Sequence, residues 1–372
     1  MSALRGIRVV EMAGLAPAPY CGMILADFGA DVVRVDRRGS RSADLLARGK
    51  RSIGVDLKHP DGVATVLRLV EKADVLLEPF RPGVMERLGL GPEVALARNP
   101  KLVYARLTGY GQDGPYASMA GHDIDYIAIS GALSLIGRKD EKPLAPVNLL
   151  GDFAGGGMLC AMGIAFALLE RQGSGKGQVV DSAMVDGAAH LATFVHKFRG
   201  LGAWKERGTN LLDGGAPFYD TYRTKDGRFV AVGAIEPQFY AALLKGLGLD
   251  AATLGDQNDK SRWAATAARF TEIFASKTRD EWSAVFDGTD ACVAPVLELG
   301  EVESHPHNAA RSLMVAGAKG EREPAPAPRL SRTPGTAGTA MPQVGEHTDQ
   351  VLGEYGFSAA EVSALRQAGA VG

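Results

Sequence analysis

Arg8-Val9-Val10-Glu11-Met12, a helical pattern from about Pro19 to Phe28, and then Asp31-Val32-Val33-Arg34-Val35-Asp36 form the stretch on which the fold turns. Two short runs rich in β-branched residues stand one helix apart. The pattern continues with Ser52-Ile53-Gly54-Val55-Asp56, a helix from about Asp61 to Lys72, Ala73-Asp74-Val75-Leu76-Leu77-Glu78 and Leu102-Val103-Tyr104-Ala105-Arg106-Leu107. Strands joined in this way are parallel βαβ units, with helices on both faces of one sheet. The predicted class is therefore α/β. Ligands in such sheets sit beyond the carboxyl ends of the strands, which directs attention to the residues after Asp36, Asp56, Glu78 and Leu107. No Gly-x-Gly-x-x-Gly fingerprint follows the first strand and no P-loop pattern occurs, which disfavours a nucleotide site of either kind.

A Gly-rich turn, Gly173-Ser174-Gly175-Lys176-Gly177, ends a long apolar helix and leads to a strand at Gln178-Val179-Val180-Asp181. Residues 1–199 read as the first part of a large domain. The polar, Gly-rich stretch from Gly200 to Gly215 reads as a linker. Residues 216–322 read as a smaller α+β domain with strands near Tyr219–Tyr222 and Arg228–Val232. Residues 323–342 hold five prolines and read as an extended return, so that 323–372, with a last helix at about Ser358 to Gln367, rejoin the large domain.

A chain of 372 residues has room for two domains and a sizeable core. Its formal charge of −2 supplies no strong field for nucleic acid or an anionic membrane. Cys21, Cys160 and Cys292 are scattered and odd in number, as expected of buried thiols in a reducing cytosol. The start, Met1 to Gly6, lacks the pattern of a secretory signal, and the last residues are no peroxisomal address. The expected location is cytoplasmic. The longest uncharged run, Phe153 to Leu169, is Gly-rich and short for a membrane span. It reads as a buried core helix.

Two segments carry the chemistry. Gly121-His122-Asp123-Ile124-Asp125-Tyr126 opens an apolar helix, with Asp123 as the expected N-cap. Asn148-Leu149-Leu150-Gly151-Asp152-Phe153 opens another. Read singly, His122 suits a structural histidine and Asp152 an N-cap. Read together, they are a base and an acid of different type, as proton traffic at a carbon acid requires. Gly155-Gly156-Gly157 adds weight: three glycines in a first turn cost about 1 kcal/mol each against Ala, so something approaches the backbone closely, and a flat acyl group is a candidate. Basic positions gather near strand ends: Arg34, Arg37, Arg38 and Arg41, then Arg48, Lys50 and Arg51, then Arg81, Arg87 and Arg106. Arginine forks there suit phosphate oxygens. Met158, Met162 and Met184 suit either an adaptable acyl surface or ordinary core. Glu236, ahead of Pro237, suits a helix start. His305 and His307 are neighbours without a further ligand nearby in sequence, so no metal site is expected.

Val33–Arg37, Glu78–Gly89, Leu107–Gln112, Gly121–Tyr126, Asn148–Gly157, Leu212–Tyr219 and Gly233–Tyr240, in that order along the chain, resemble the alpha-methylacyl-CoA racemases, a branch of the family III CoA-transferases. The resemblance implies a large Rossmann-like domain, a smaller domain, and two identical subunits threaded through each other as an interlocked homodimer. It implies an isomerase of lipid metabolism that interconverts the (2R) and (2S) epimers of 2-methyl-branched acyl-CoA thioesters. CoA is part of the substrate, and no separate cofactor is implied. His122 and Asp152 fall on the catalytic pair, with Asp123 and Glu236 in support, Glu236 from the partner subunit. Contacts to CoA and acyl group fall on Arg37, Val55, Asp56, Leu57, Lys58, Arg81, Arg87, Gly121, Ile124, Asp125 and Tyr126. The true CoA-transferases of the family are similar but use an aspartate nucleophile, which corresponds to Asp123. The histidine before it and the later Asp152 favour the racemases.

Overall fold

The computed structural model describes residues 2–40, 46–317 and 320–372. Arg41, one of the basic candidates, lies outside them. The chain divides into two compact units. The first comprises residues 1–132, 146–192 and 306–372, the second residues 133–145 and 193–305. This differs from the sequence reading at both boundaries of the smaller unit, which takes in 133–145 and ends at His305, not at residue 322.

The first unit is built on six parallel strands: β1 (Arg8–Met12), β2 (Asp31–Arg37), β3 (Arg51–Val55), β4 (Val75–Glu78), β5 (Val103–Thr108) and β6 (Val179–Ala183), in the order β3-β2-β1-β4-β5-β6. Alternate side chains of each strand feed opposite cores, because the strand period is two. Val10, Met12, Val33, Val35, Ile53, Leu76 and Tyr104 face one layer, which includes Val351, Leu352, Tyr355 and Val362 of the C-terminal helices. Val9, Val32, Val75, Leu77, Val103 and Ala105 face the other, with Cys21, Leu25, Cys160 and Ile164. Burial on both faces explains the near-continuous apolar runs of the strands. The C-terminus seals the β3 edge, where Val371 bridges Val55 and the Gly372 N–H donates to Gly54 O at 2.9 Å.

The helices are α1 (Pro17–Asp27), α2 (Pro60–Val70), α3 (Val84–Arg87), α4 (Pro92–Arg98), α5 (Asp123–Ile129), α6 (Leu159–Ser174) and α7 (Met184–Leu191). Proline at the first helical positions starts α1, α2 and α4, where its missing N–H is no loss. A π-helical segment, Leu149–Met158, runs directly into α6. By length and composition the combined helix is apolar enough to cross a membrane. The expected fully buried helix is instead two-faced. Cys160, Ala161, Ile164, Ala167 and Leu168 are buried, whereas Met158, Met162, Phe166 and Leu169 are exposed, Phe166 by 62%.

In the second unit three antiparallel strands, β7 (Tyr219–Arg223), β8 (Phe229–Gly233) and β9 (Val293–Pro295), form a sheet in the order β7-β8-β9. Its core is aromatic, with Phe218, Tyr222, Phe270, Phe274 and Trp282 buried together. The stretch expected as a linker belongs to this unit. Asn210 is buried, and the Asp213 carboxylate accepts N–H groups of Gly208, Asn210 and Gly215 at 2.7, 2.8 and 3.2 Å.

Candidate active site

The strand order reverses between β1 and β4, because the chain leaves β1 toward β2 on one side and β4 toward β5 on the other. Such a switch point leaves a crevice at the carboxyl ends of the strands. A cavity of about 760 Å³ occupies it, lined by the loops after β1 (Gly14–Pro17), β4 (Pro79–Pro82) and β5 (Thr108–Tyr110), with Met119–His122, Tyr126, Asp152 and Met184. The two loops that meet at the switch pack tightly. A Cβ on Gly14 would lie 2.2 Å from the Pro79 ring, so only glycine fits.

His122 occupies the N-cap position of α5, one residue before the expected cap. Its backbone is extended, and its N–H donates to Asp125 Oδ2 at 2.9 Å. The imidazole is exposed and lines the cavity. Asp123 is then the first helical residue, and its carboxylate turns to a different element. Asp123 Oδ2 accepts the backbone N–H groups of Gly151 and Asp152 at 2.6 and 2.7 Å, satisfying donors that a helix start leaves open. Its side chain is buried, and Oδ1 has no partner among the described residues.

Because Asp123 caps the π-helical segment, Asp152 does not. The Asp152 carboxylate faces the cavity and accepts from Asn148 Nδ2 at 3.1 Å. Burial raises its carboxyl above the ordinary range. The Asn148 amide pulls it down, the charge of Asp123 adds to the rise, and His122 opposes it. The first cause dominates, as expected for a carboxylate leaving water.

The glycines after Asp152 make room for protein, not for ligand. A Cβ on Gly155 would stand 2.8 Å from Ala188 N, on Gly156 2.9 Å from Met184 Cγ, and on Gly157 2.7 Å from Pro17 O. The π-helical segment is thus wedged between α1 and α7, and this close packing replaces the acyl group as the reason for the glycine run. Gly109 and Gly121 likewise clear space for Tyr126, whose ring a Cβ would meet at 2.2 and 2.8 Å. Tyr126 stacks edge-on to Tyr110 with centroids 4.9 Å apart and donates its hydroxyl to Gly121 O. Burial raises its phenol to about 12.

The structure brings Arg81, Gly121, His122, Tyr126 and Asp152 to one cavity. Arg37, Val55, Asp56, Leu57 and Lys58 do not line it; they stand at and after the carboxyl ends of β2 and β3, with the Val55 side chain in the core. Arg87 ends α3, and Ile124 and Asp125 are exposed on α5. Glu236 precedes the helix Pro237–Leu247 in the second unit, exposed and without a capping bond. Several basic candidates are held internally. Arg34 pairs with Asp36, Arg48 with Asp27, Lys50 with Glu11, Arg51 with Asp31, and Arg106 with Glu78. Among the described residues Arg37, Lys58, Arg81 and Arg87 have no carboxylate partner. Met184 lines the cavity, whereas Met158, which ends the π-helical segment, and Met162 of α6 are exposed. Sequence reading passed over Gly14–Pro17. The Gly-then-Pro spacing behind the first strand was the available sign, but its meaning depends on the strand order. Among the described residues no cluster of His, Cys, Asp or Glu forms a metal site.

The family model of CoA-transferase family III matches residues 4–348. The chain is 57% identical over 364 residues to the alpha-methylacyl-CoA racemase of Mus musculus, covering 97% of this chain and 96% of that protein. It is 55% identical over 366 residues to the alpha-methylacyl-CoA racemase of Homo sapiens, covering 98% and 96%. A crystal structure of a CAIB/BAIF family protein from Brucella suis superposes with a TM-score of 0.82 at 26% identity, over 95% of this chain and 99% of that one. The chain belongs to the family III CoA-transferases.

Proposed function

We propose that the protein is an enzyme that racemises 2-methylacyl-CoA thioesters at the α-carbon. The observation that carries this reading is the pairing of His122 and Asp152 in one cavity at the switch point, in a chain more than half identical to two racemases. The thioester acidifies the Cα–H, because the carbanion delocalises onto the carbonyl oxygen as an enolate. His122 removes the proton of the (2S) epimer, and Asp152 donates one to the opposite face to give (2R). The reverse direction starts with Asp152 ionised and His122 protonated. The two groups therefore hold one exchangeable proton between them. Burial of Asp152 favours its protonated state, which suits its role as acid in the (2S) to (2R) direction. The N–H groups of Asp123 and Ile124, which lead α5 without an acceptor inside it, are assigned to the enolate oxygen. No cofactor beyond the CoA of the substrate enters the reaction.

Arg81 is assigned to the CoA phosphates, with Arg37, Lys58 and Arg87 along the same carboxyl edge of the sheet. The exposed apolar face of α6 supports a homodimer, since an apolar patch of that kind marks a contact surface. The family's interlocked arrangement, with Glu236 reaching the partner's His122, completes the reading. Against a transferase with Asp123 as nucleophile stands the position of that carboxylate, buried, absent from the cavity lining and engaged with two backbone N–H groups. The test is incubation with (2S)-2-methylacyl-CoA and chiral separation of the products. Approach to an equal mixture of epimers, without an added carboxylate acceptor, is expected. Retention of the (2S) form, with transfer of CoA to a supplied carboxylic acid and release of the free 2-methyl acid, contradicts the reading.

A further inference from the structure

Arg106 lies on β5 and is 6% exposed. Its Nε donates to Glu78 Oε1 at 2.8 Å, and its Nη1 and Nη2 donate to Glu86 Oε1 and Oε2 at 2.7 and 3.3 Å. Glu78 closes β4 and Glu86 lies in α3. One guanidinium thus holds both ends of the segment 78–86. Within it, the Phe80 N–H donates to Glu78 Oε2 at 2.7 Å and the Val84 N–H to Arg81 O at 3.1 Å. This segment gives Pro79, Phe80, Arg81, Pro82 and Val84 to the cavity. Arg81 stands close enough to Tyr126 for its charge to lower the phenol against the effect of burial.

Stability alone is a poor reason for this arrangement. Removing a carboxylate and a guanidinium from water cancels much of their attraction, and a packed apolar pair often does as well. The fork geometry of arginine is a better reason, because it fixes the relative positions of two carboxylates where a single ammonium would fix one. The loop between those carboxylates carries Arg81, which makes no ion pair of its own among the described residues.

We propose that the Glu78–Arg106–Glu86 bridge sets the Arg81 loop for the phosphates of the acyl-CoA. Arg106 is a positioning residue for the nucleotide end of the substrate, not for the proton transfer. This rests on the acyl-CoA reading given above.

The test compares full-length wild type, Glu86→Gln and Arg106→Lys on two substrates. One is a 2-methylacyl-CoA; the other carries the same acyl group on N-acetylcysteamine, which has no phosphates. The Glu86 side chain is 44% exposed, so Glu86→Gln removes the outer arm and leaves the buried Glu78–Arg106 pair in place. Both variants should raise KM for the CoA ester about three- to tenfold, with kcat within about twofold. Their kcat/KM for the truncated thioester should match wild type, and Glu86→Asp should recover part of the loss. An equal loss on both thioesters overturns the proposal, because it marks general damage to the site. An unchanged KM for the CoA ester in folded Glu86→Gln and Arg106→Lys overturns it as well. Wild type that racemises neither ester removes the acyl-CoA reading, and the proposal with it.

Discussion

Asp123 Oδ2 accepts the backbone N–H of Asp152 at 2.7 Å, so the residue beside His122 holds the start of the segment that carries the opposing acid. The two halves of the proton relay come from distant parts of the sequence, and this bond ties one to the other. It also releases the Asp152 side chain from capping, which is the reason its carboxylate can face the cavity.

Asp123→Ala should therefore act through structure. It leaves the Gly151 and Asp152 N–H groups without their acceptor, at a cost of about 1–3 kcal/mol for a buried donor left unpaired. Urea unfolding should show this loss, and racemisation should fall although His122 and Asp152 remain. Asp123→Asn keeps a carbonyl acceptor and should lose less on both counts. Undiminished stability together with abolished activity would instead mark Asp123 as a reacting group.

Gly151 faces the same carboxylate. A Cβ there would stand 2.7 Å from Asp123 Oδ2 and 3.2 Å from the Asp123 carbonyl oxygen. Gly151→Ala should destabilise by about 1–3 kcal/mol, as overpacking does, and slow the reaction. Gly173→Ala is the matched control in the same continuous helix. A Cβ at that position meets nothing within 4 Å, and alanine should raise stability by about 0.5–1 kcal/mol.

Asp152 links activity to pH and stability. Burial raises its carboxyl, so the folded protein holds this proton more tightly than the unfolded chain. Its contribution to stability is full below the unfolded value of about 3.9 and is lost as pH rises through the higher folded value. The ionised group therefore costs stability at neutral pH. Asp152→Asn should melt above wild type at pH 7, and the difference should vanish below about pH 4. Racemisation by the same variant should fall by about 10²- to 10⁴-fold, the usual worth of a general acid or base. His122→Ala should lose activity on the same scale. A lower melting temperature for Asp152→Asn at pH 7 would contradict the assignment of burial as the dominant cause.

The parallel sheet was legible because both of its faces are buried, which leaves unbroken apolar runs such as Asp31–Asp36. Its strand order was not, since nothing local in Arg8–Met12 says that β1 pairs with both β2 and β4. The Gly14–Pro17 wall of the cavity went unread for that reason. His122 and Asp152 were legible as a pair through the ordered set of segments around them. The role of Asp123 was not, because a side chain that caps a helix 28 positions away leaves no periodic trace. The glycine run after Asp152 announced a close approach, but sequence does not say whether helix or ligand approaches. Arg106 looked like its exposed neighbours in the basic series, and only the register of β4 against β5 sets it beside Glu78.

The outer face of α6 supplies a test of assembly. Phe166 is 62% exposed within the chain. If a second copy covers it, Phe166→Glu places a charge in an apolar contact, and the protein should run as a monomer at micromolar concentration by light scattering after size exclusion. Wild type should run as a dimer. A variant that stays dimeric would remove this face from the interface.

In the proposed reaction His122 takes the α-proton from one face of the substrate and Asp152 delivers another to the opposite face. The direct measurement is incubation of wild type with a 2-methylacyl-CoA in D2O, followed by mass spectrometry of the recovered thioester. One deuterium should enter at the α-carbon, and its entry with inversion should fall by about 10²- to 10⁴-fold in both His122→Ala and Asp152→Ala. No deuterium uptake by wild type across several acyl chain lengths would contradict the account.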